Sequence, residues 1–241
     1  MTRELKSAGV TNARFVSNFK PIAYYPDLEK ALQKRNLKPE SWRSALPLGS
    51  SKNLKPRIRF VFLSRIMPEK GCDYIIEAAR LLNEKGYANR FTIDFYGKVD
   101  AGYKESFERG VEAIDNISYH GLLNLKSKEG YDELATYHAM LFPTYWKGEG
   151  LAGVFIDAFI AGLPVLASDW AHNAEAIKND ELGILYPVHD VKALTHTMER
   201  CILGEINLED MAVKARKEAS RYDVAQVLNE AYLQSIGLID K

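Results

Sequence analysis

The chain has only two cysteines, no excess of charge of either sign and no long apolar run. Lys and Arg number 32 and Asp and Glu number 32 among 241 residues, so the formal net charge is zero. A neutral chain has no general electrostatic attraction to nucleic acid or to an anionic membrane. No apolar run approaches the roughly 20 residues of a membrane span, and the opening MTRELKSAGV lacks the apolar core of a signal peptide. We therefore expect a cytoplasmic protein without a nucleic-acid partner or a transmembrane segment, and peripheral association with a membrane stays compatible with the sequence.

Other absences limit the metal sites and catalytic motifs that the sequence can contain. Cys72 and Cys201 lie far apart, and without a CxxC pair or a Cys/His cluster a zinc site is not expected. Two lone thiols indicate a reducing compartment, with one disulfide between them as the alternative. There is no DxD pair for a metal and diphosphate, no GxxxxGK[ST] loop, and no nucleophile in the context of a catalytic triad. The sequence thus predicts neither a metal nor a covalent catalyst.

From residue 58 onward, apolar strands alternate regularly with helical segments. Strands are predicted at 58–64, 91–97, 117–121, 139–143, 164–168 and 183–187, and helices at 72–86, 103–115, 127–137, 152–161, 173–178, 190–203, 207–220 and 223–236. This alternation predicts an α/β fold with a doubly wound, mainly parallel, Rossmann-like sheet. Ligands of such sheets bind at the carboxyl ends of the strands.

The first 56 residues have a weaker pattern. Residues 13–17, ARFVS, predict a short strand. Residues 46–56, LPLGSSKNLKP, predict a linker because Gly, Ser, Asn and Pro cluster there. We expect the Rossmann-like domain and its C-terminal helices to occupy residues 57–241.

Two cations follow the first predicted strand. Arg65 and Lys70 lie in the loop SRIMPEKG, and a helix starts directly after it. The N-terminus of a helix favours anions, Arg offers a fork of donors for phosphate oxygens, and Lys offers a point charge. This pattern indicates a phosphate site. The alternative is a solvated loop in which Glu69 balances a neighbouring cation.

Two carboxylates belong to the segment after the fourth predicted strand. Glu149 lies among three glycines in the loop GEGLAG, which is not interpreted as a dinucleotide fingerprint, and Asp157 lies eight residues later within an apolar helix. A buried carboxylate without a partner is costly. Asp157 is therefore either hydrogen-bonded within the protein or waiting for a ligand with hydroxyl groups, and Glu149 is either a ligand contact or a carboxylate near a helix start.

Together these segments resemble the C-terminal, nucleotide-sugar-binding domain of GT-B glycosyltransferases of the large retaining family 4. SRIMPEKG is similar to that family's G-R-hydrophobic…K-G loop, and residues 143–170 are similar to its P-[ST]…E-G-x-x…E-A-x-x-x-G-x-P-V segment. Residues 172–194 are similar to the following E-x-[IV]…G-x-L-[VY]…D…A-L segment. FYGKVD and YHGLLN fall where the family has two Gly-containing strand ends. The resemblance covers residues 58 to 236.

The resemblance implies a role for each matching position. Arg65 and Lys70 would hold the donor's diphosphate, and Glu149 would contact a hydroxyl of the transferred sugar. Asp157 would accept the ribose hydroxyls, and the base would lie near Gly97 and residues 119–122. Phosphate or sugar would be bound by the backbone N–H groups of the loop residues Gly150, Leu151, Ala152 and Gly153. No metal or cofactor beyond the nucleotide-diphosphate sugar is implied.

The chain departs from the family pattern in three places. Asp157 replaces Glu, Ser64 replaces the usual Gly, and residues 5–22 resemble only the last strand of the acceptor domain and the crossover from it. Residues 1–56 are therefore interpreted as a remnant of that domain and a linker. Two hypotheses follow: the donor-binding half of a retaining glycosyltransferase, or a non-catalytic nucleotide-sugar-binding module or fragment that needs a separate acceptor domain or subunit. A third is a Rossmann-like domain with other ligands.

Overall fold

The computed structural model describes residues 18–35, 57–236 and 238. Within them, six parallel strands form one open sheet with the spatial order β3-β2-β1-β4-β5-β6. The strands are β1 Ile58–Leu63, β2 Phe91–Tyr96, β3 Ile117–Tyr119, β4 Ala139–Phe142, β5 Val165–Asp169 and β6 Gly183–Pro187. The predicted doubly wound α/β fold is confirmed, and all six strands are parallel. The strand order reverses between β1 and β4, which is where a doubly wound sheet opens a crevice for ligands.

The helices follow the predicted sequence of elements with two differences. Their bounds are α1 Leu28–Arg35, α2 Cys72–Glu84, α3 Lys104–Glu112, α4 Lys128–Leu134, α5 Gly153–Ile160, α6 Asn173–Ile177, α7 Val191–Leu203, α8 Leu208–Ala219, α9 Val224–Val227 and α10 Glu230–Ser235. The sequence analysis missed α1. It also predicted one helix over 223–236, where the structure has two, because Asn229 is extended and its side chain caps α10 by accepting from the Tyr232 N–H.

Each face of the sheet has its own apolar core. One joins the even-numbered residues of β1, such as Phe60 and Phe62, to α2, α3 and α7. The other joins Val61 of β1 to α4, α5, α6 and the C-terminal half of α8. Burial on both faces explains why these strands are continuously apolar instead of alternating.

The segment 18–35 packs onto the second of these cores through α1. The guanidinium of Arg35 is buried and donates to the carbonyls of Ala135, Ala161 and Gly162. Its pKa falls to about 9, mainly because burial disfavours the charged form. The domain boundary at residue 57 stays a prediction, and the predicted strand 13–17 and linker 46–56 lie outside the described residues.

Both cysteines are free and buried among the side chains that pack on the α2 face of the sheet. The alternative of a disulfide between Cys72 and Cys201 is therefore wrong. Burial raises the pKa of both thiols, that of Cys201 to about 12, so neither is a reactive thiolate. Nowhere in residues 18–35 and 57–236 does a helix combine the length and the apolarity that a membrane crossing demands.

Candidate functional site

The loops after β1 and β4 touch each other at the carboxyl edge of the sheet. The Tyr145 N–H donates to the Glu69 carbonyl over 2.8 Å. Gly71 has φ +77°, and a Cβ there would lie 2.2 Å from the Pro143 carbonyl oxygen. Only glycine fits such a position, since it tolerates positive φ and leaves room for the neighbouring backbone. The two loops that the sequence analysis treated separately therefore form one site.

Lys70 and Glu149 meet in this site as an ion pair. The Lys70 Nζ lies 2.5 Å from the Glu149 Oε2, and the two side chains are only 8% and 6% exposed. Thr144 donates its hydroxyl to the same oxygen over 2.9 Å. Glu149 lies in the loop before α5, as the sequence analysis predicts. A buried pair of this kind costs desolvation, so it is weak evidence for stability and points to another use of the two charges.

Aromatic rings enclose the lysine. Its Nζ lies 4.5 Å from the centre of the Trp146 ring and 5.6 Å from that of Phe142. Trp146 is itself held by Trp170, whose indole N–H donates to the Trp146 carbonyl over 2.8 Å. An ammonium group has three donors. After one hydrogen bond to Glu149, two N–H groups of Lys70 remain for a ligand or a ring face.

Arg65 lies in the same β1 loop but has a different environment. Its side chain is exposed, and no ion-pair or hydrogen-bond partner for it is found within residues 18–35 and 57–236. A flexible cation at the rim can reach an anion at little desolvation cost. The site thus has one buried lysine and one exposed arginine, both from the β1 loop.

The start of α5 supplies backbone donors. The helix begins at Gly153 after the extended N-cap residue Ala152, and no side chain caps it. The first N–H groups of a helix have no intrahelical acceptor. A Cβ on Gly150 would meet nothing within 4 Å, so this part of the loop is open. The letters GEGLAG do match G-x-G-x-x-G, a spacing that the sequence analysis set aside, although here they follow β4 and not the first strand of a βαβ unit.

Asp157 is tied to the protein. Its side chain, 7% exposed, accepts from Lys20 Nζ at 2.5 Å and 2.6 Å and from the Tyr131 hydroxyl at 2.7 Å. Burial, and then the charge of Asp157, raise the pKa of Tyr131, so that its hydroxyl stays a donor. Of the two alternatives for this carboxylate, the structure shows the hydrogen bonds within the protein. The predicted contact with a ribose stays a prediction.

Gly97 has a structural reason to be glycine. Its φ is +152°, and a Cβ there would lie 1.7 Å from the Ser64 carbonyl oxygen. Its N–H donates to the Gly121 carbonyl and its own carbonyl accepts from the Tyr119 hydroxyl, which joins the ends of β2 and β3. The predicted contact of Gly97 with a base stays a prediction.

The sequence analysis missed several side chains at the site, among them Lys20, Thr144 and Trp146. Thr144 and Trp146 lie within residues 143–170, which resemble a segment of the family, but only the fold brings their side chains close to Lys70 and Glu149. Lys20 is 137 positions from its partner Asp157, and no local pattern could reveal that pair. Within the described parts of the chain, no group of three or more His, Cys, Asp or Glu side chains is placed to hold a metal ion.

Comparison with known sequences adds a family. The sequence model of the family described as glycosyl transferases group 1 matches residues 57–203. The amylovoran biosynthesis glycosyltransferase AmsK of Erwinia amylovora is 27% identical over 161 residues, which are 66% of this chain and 39% of AmsK. The GDP-mannose-dependent alpha-(1-6)-phosphatidylinositol monomannoside mannosyltransferase of Mycobacterium tuberculosis is 24% identical over 211 residues, or 86% of this chain and 54% of that protein. The chain thus spans about half or less of the length of these relatives.

Comparison with solved structures supports the fold. HepE from Anabaena in complex with UDP-glucose superposes with a TM-score of 0.71 at 16% identity, covering 99% of this chain and 61% of that one. WaaG, described as a glycosyltransferase involved in lipopolysaccharide biosynthesis, superposes with a TM-score of 0.62 at 20% identity, covering 92% and 55%. At these identities the likeness concerns the fold alone.

Proposed function

The chain belongs to the glycosyl transferases group 1 family, and we propose that it is the donor-binding half of a retaining glycosyltransferase. Its substrate is a nucleotide-diphosphate sugar, whose sugar passes to an acceptor. The observation that carries the proposal is the buried pair of Lys70 and Glu149 between the β1 and β4 loops. It lies where the strand order reverses, next to the uncapped start of α5.

The cations act on the diphosphate. Arg65 and Lys70 bind its oxygens, assisted by the backbone N–H groups at the start of α5. Positive charge held in place around a departing diphosphate stabilises the charge that develops as the bond to the sugar breaks. Metal ions have this role in many phosphate sites, and we propose that the two side chains make a metal unnecessary here.

Glu149 acts on the sugar. With Lys70 and Thr144 holding Oε2, Oε1 is the oxygen that accepts a sugar hydroxyl. On a front-face route the leaving phosphate assists deprotonation of the acceptor, so this chain need not supply a base. Asp157 keeps one acceptor direction on Oδ2 for a ribose hydroxyl, because a carboxylate has about four and its protein partners take three.

A second candidate function is binding without transfer. In that case the chain is a module that works with a separate acceptor domain or subunit, and it spans 39% of AmsK and 54% of the mycobacterial mannosyltransferase. Both candidates require the same donor site. They differ in whether the isolated chain releases nucleoside diphosphate from a donor when an acceptor is supplied.

Thermal unfolding with UDP, GDP and ADP at millimolar concentration tests the shared donor site. A ligand at 100 times its dissociation constant adds about 2.7 kcal/mol to the free energy of unfolding. We expect one nucleotide to raise the melting temperature equally with and without EDTA. A rise that EDTA abolishes would contradict the metal-free site, and no rise with any of the three would contradict donor binding.

Arg65→Ala sharpens the test because the residue is exposed and its loss leaves the fold intact. We expect about tenfold weaker binding of the nucleoside diphosphate, the effect of one charged hydrogen bond. Arg57→Ala is the matched control, an exposed arginine at the amino end of the same strand. Equal affinity of both variants would remove Arg65 from the site.

A further inference from the structure

Lys20 holds the carboxylate of Asp157 from a distant part of the chain. The ammonium group lies within 2.6 Å of both carboxylate oxygens. Lys20 is 36% exposed and Asp157 7%. A carboxylate this buried would be costly without its cation. Lys20 and Tyr131 together fix the orientation of the carboxylate, which lies about 6 Å along α5 from Gly153.

The same segment also reaches the loop before α5. Asn18, two residues from Lys20, donates from its side-chain nitrogen to the Leu151 carbonyl over 3.2 Å. A Cβ on Gly153 would lie 3.3 Å from that nitrogen, so the two residues are in contact. Asn18 and Lys20 therefore hold α5 at two points, one in the open loop and one in the second helical turn.

The backbone of the segment is itself anchored by the C-terminal part of the chain. The Lys20 N–H donates to the Tyr222 carbonyl and the Lys20 carbonyl accepts from the Val224 N–H, each over 2.9 Å. Lys20 and Asp223 form a parallel bridge. These bonds fix the position from which the Lys20 side chain extends.

We propose that Lys20 is a positioning residue for the donor site, an inference that rests on the function proposed above. Through Asp157 it sets the one free acceptor direction that a ribose hydroxyl uses. Together with its neighbour Asn18 it holds the start of α5, whose N–H groups face the diphosphate. The segment before α1 is thus part of the nucleotide site, although it lies outside residues 57–203, which match the family.

Nucleotide affinity tests the first effect. Titration calorimetry would compare Lys20→Met, Lys20→Arg and the wild type, with UDP, GDP and ADP and the 2′-deoxy form of the best binder. We expect Lys20→Met to bind the nucleotide about tenfold more weakly and to lose the preference for the ribose over the 2′-deoxy form. Lys20→Arg should restore the affinity and the preference. Lys178→Met is the matched control, because the Lys178–Glu218 pair spans 3.0 Å at 38% and 13% exposure and joins the residue after α6 to α8. Wild-type or tighter binding by Lys20→Met would overturn the proposal.

Amide hydrogen exchange tests the second effect without any ligand. We expect faster exchange of the hydrogen-bonded amides of α5, residues 155–161, in Lys20→Met. Lys20→Arg should restore slow exchange, and Asn18→Ala should cause a smaller increase because it removes only the bond to Leu151. Unchanged exchange in Lys20→Met would refute the positioning role. If the wild type binds none of the nucleotides, the proposed function fails, while this measurement still decides whether Lys20 positions α5.

Discussion

Replacing Lys70 by Met tests the buried ion pair directly. Met keeps the length of the side chain but removes the charge, which leaves Glu149 buried with only Thr144 as a hydrogen-bond donor. We expect the free energy of unfolding to fall by about 3–5 kcal/mol, the usual cost of removing one partner of a buried pair. Total stabilities are about 5–15 kcal/mol, so the loss is a large share.

The magnitude follows from the geometry of the pair. At 2.5 Å and an effective dielectric constant of about 20, the attraction of two unit charges is about 7 kcal/mol. Desolvation of two groups that are both less than 10% exposed offsets most of that gain, at several kcal/mol for each ion. The intact pair therefore adds little net stability, and removing one partner leaves the desolvation cost of the other uncompensated.

Urea denaturation is the assay, since a loss of this size lowers the midpoint by about 1–2 M. The double variant Lys70→Met/Glu149→Gln should recover at least half of the loss, because it removes both charges. Lys85→Met is the control: its pair with Glu199 spans 2.7 Å, but the lysine is 49% exposed. That variant should lose less than about 1 kcal/mol.

The reasoning is refuted if Lys70→Met loses no more stability than Lys85→Met. It is also refuted if the double variant is as unstable as the single one. In the first case the pair is solvated in solution. In the second, the loss comes from side-chain packing around Trp146 and not from the unpaired charge.

Two further predictions concern stability. Burial lowers the pKa of His138 to about 4, while its Nδ1 accepts from the Arg59 N–H and its Nε2 donates to the Arg35 carbonyl. The unfolded state protonates this imidazole near pH 6.5 and the folded state does not, so the free energy of unfolding falls between pH 6.5 and 4. In urea titrations, the free energy of unfolding of His138→Gln should fall by about 2 kcal/mol less than that of the wild type between pH 7 and 5. An equal fall in both proteins would contradict this. Gly97→Ala should cost more than about 2 kcal/mol because of its close approach and positive φ; Gly102→Ala, whose Cβ would meet only a side chain at 3.6 Å, is the control that should stay within about 1 kcal/mol.

The sequence predicted helices and strands correctly where the apolar residues of an element follow a regular pattern. Six apolar strands separated by helices predicted the order of the elements and the parallel sheet, because crossover connections leave few alternatives. Gly86 was predicted to end α2, and it follows that helix with φ +87°. The pattern was weak in α1, whose eight residues LEKALQKR contain only three apolar ones, so that helix was missed.

Local patterns could also place Arg65, Lys70 and Glu149 at the carboxyl edge, since each follows a predicted strand. They could not show that Lys70 and Glu149 are in contact, because the residues are 79 positions apart. Their loops meet only because β1 and β4 are adjacent strands in the sheet. The sequence also could not show that Asp157 is paired with Lys20, because that residue belongs to a segment without a strong pattern.

The sequence by itself determined the fold class and the edge of the sheet where the chemistry lies, because the period of apolar residues and the glycines at strand ends are local properties. The tertiary structure alone decided how the charges of the site are paired: which cation is buried against which carboxylate, and which cation is exposed. Pairing of charges depends on distances between loops that are far apart in the chain, and those distances exist only after the strands have assembled.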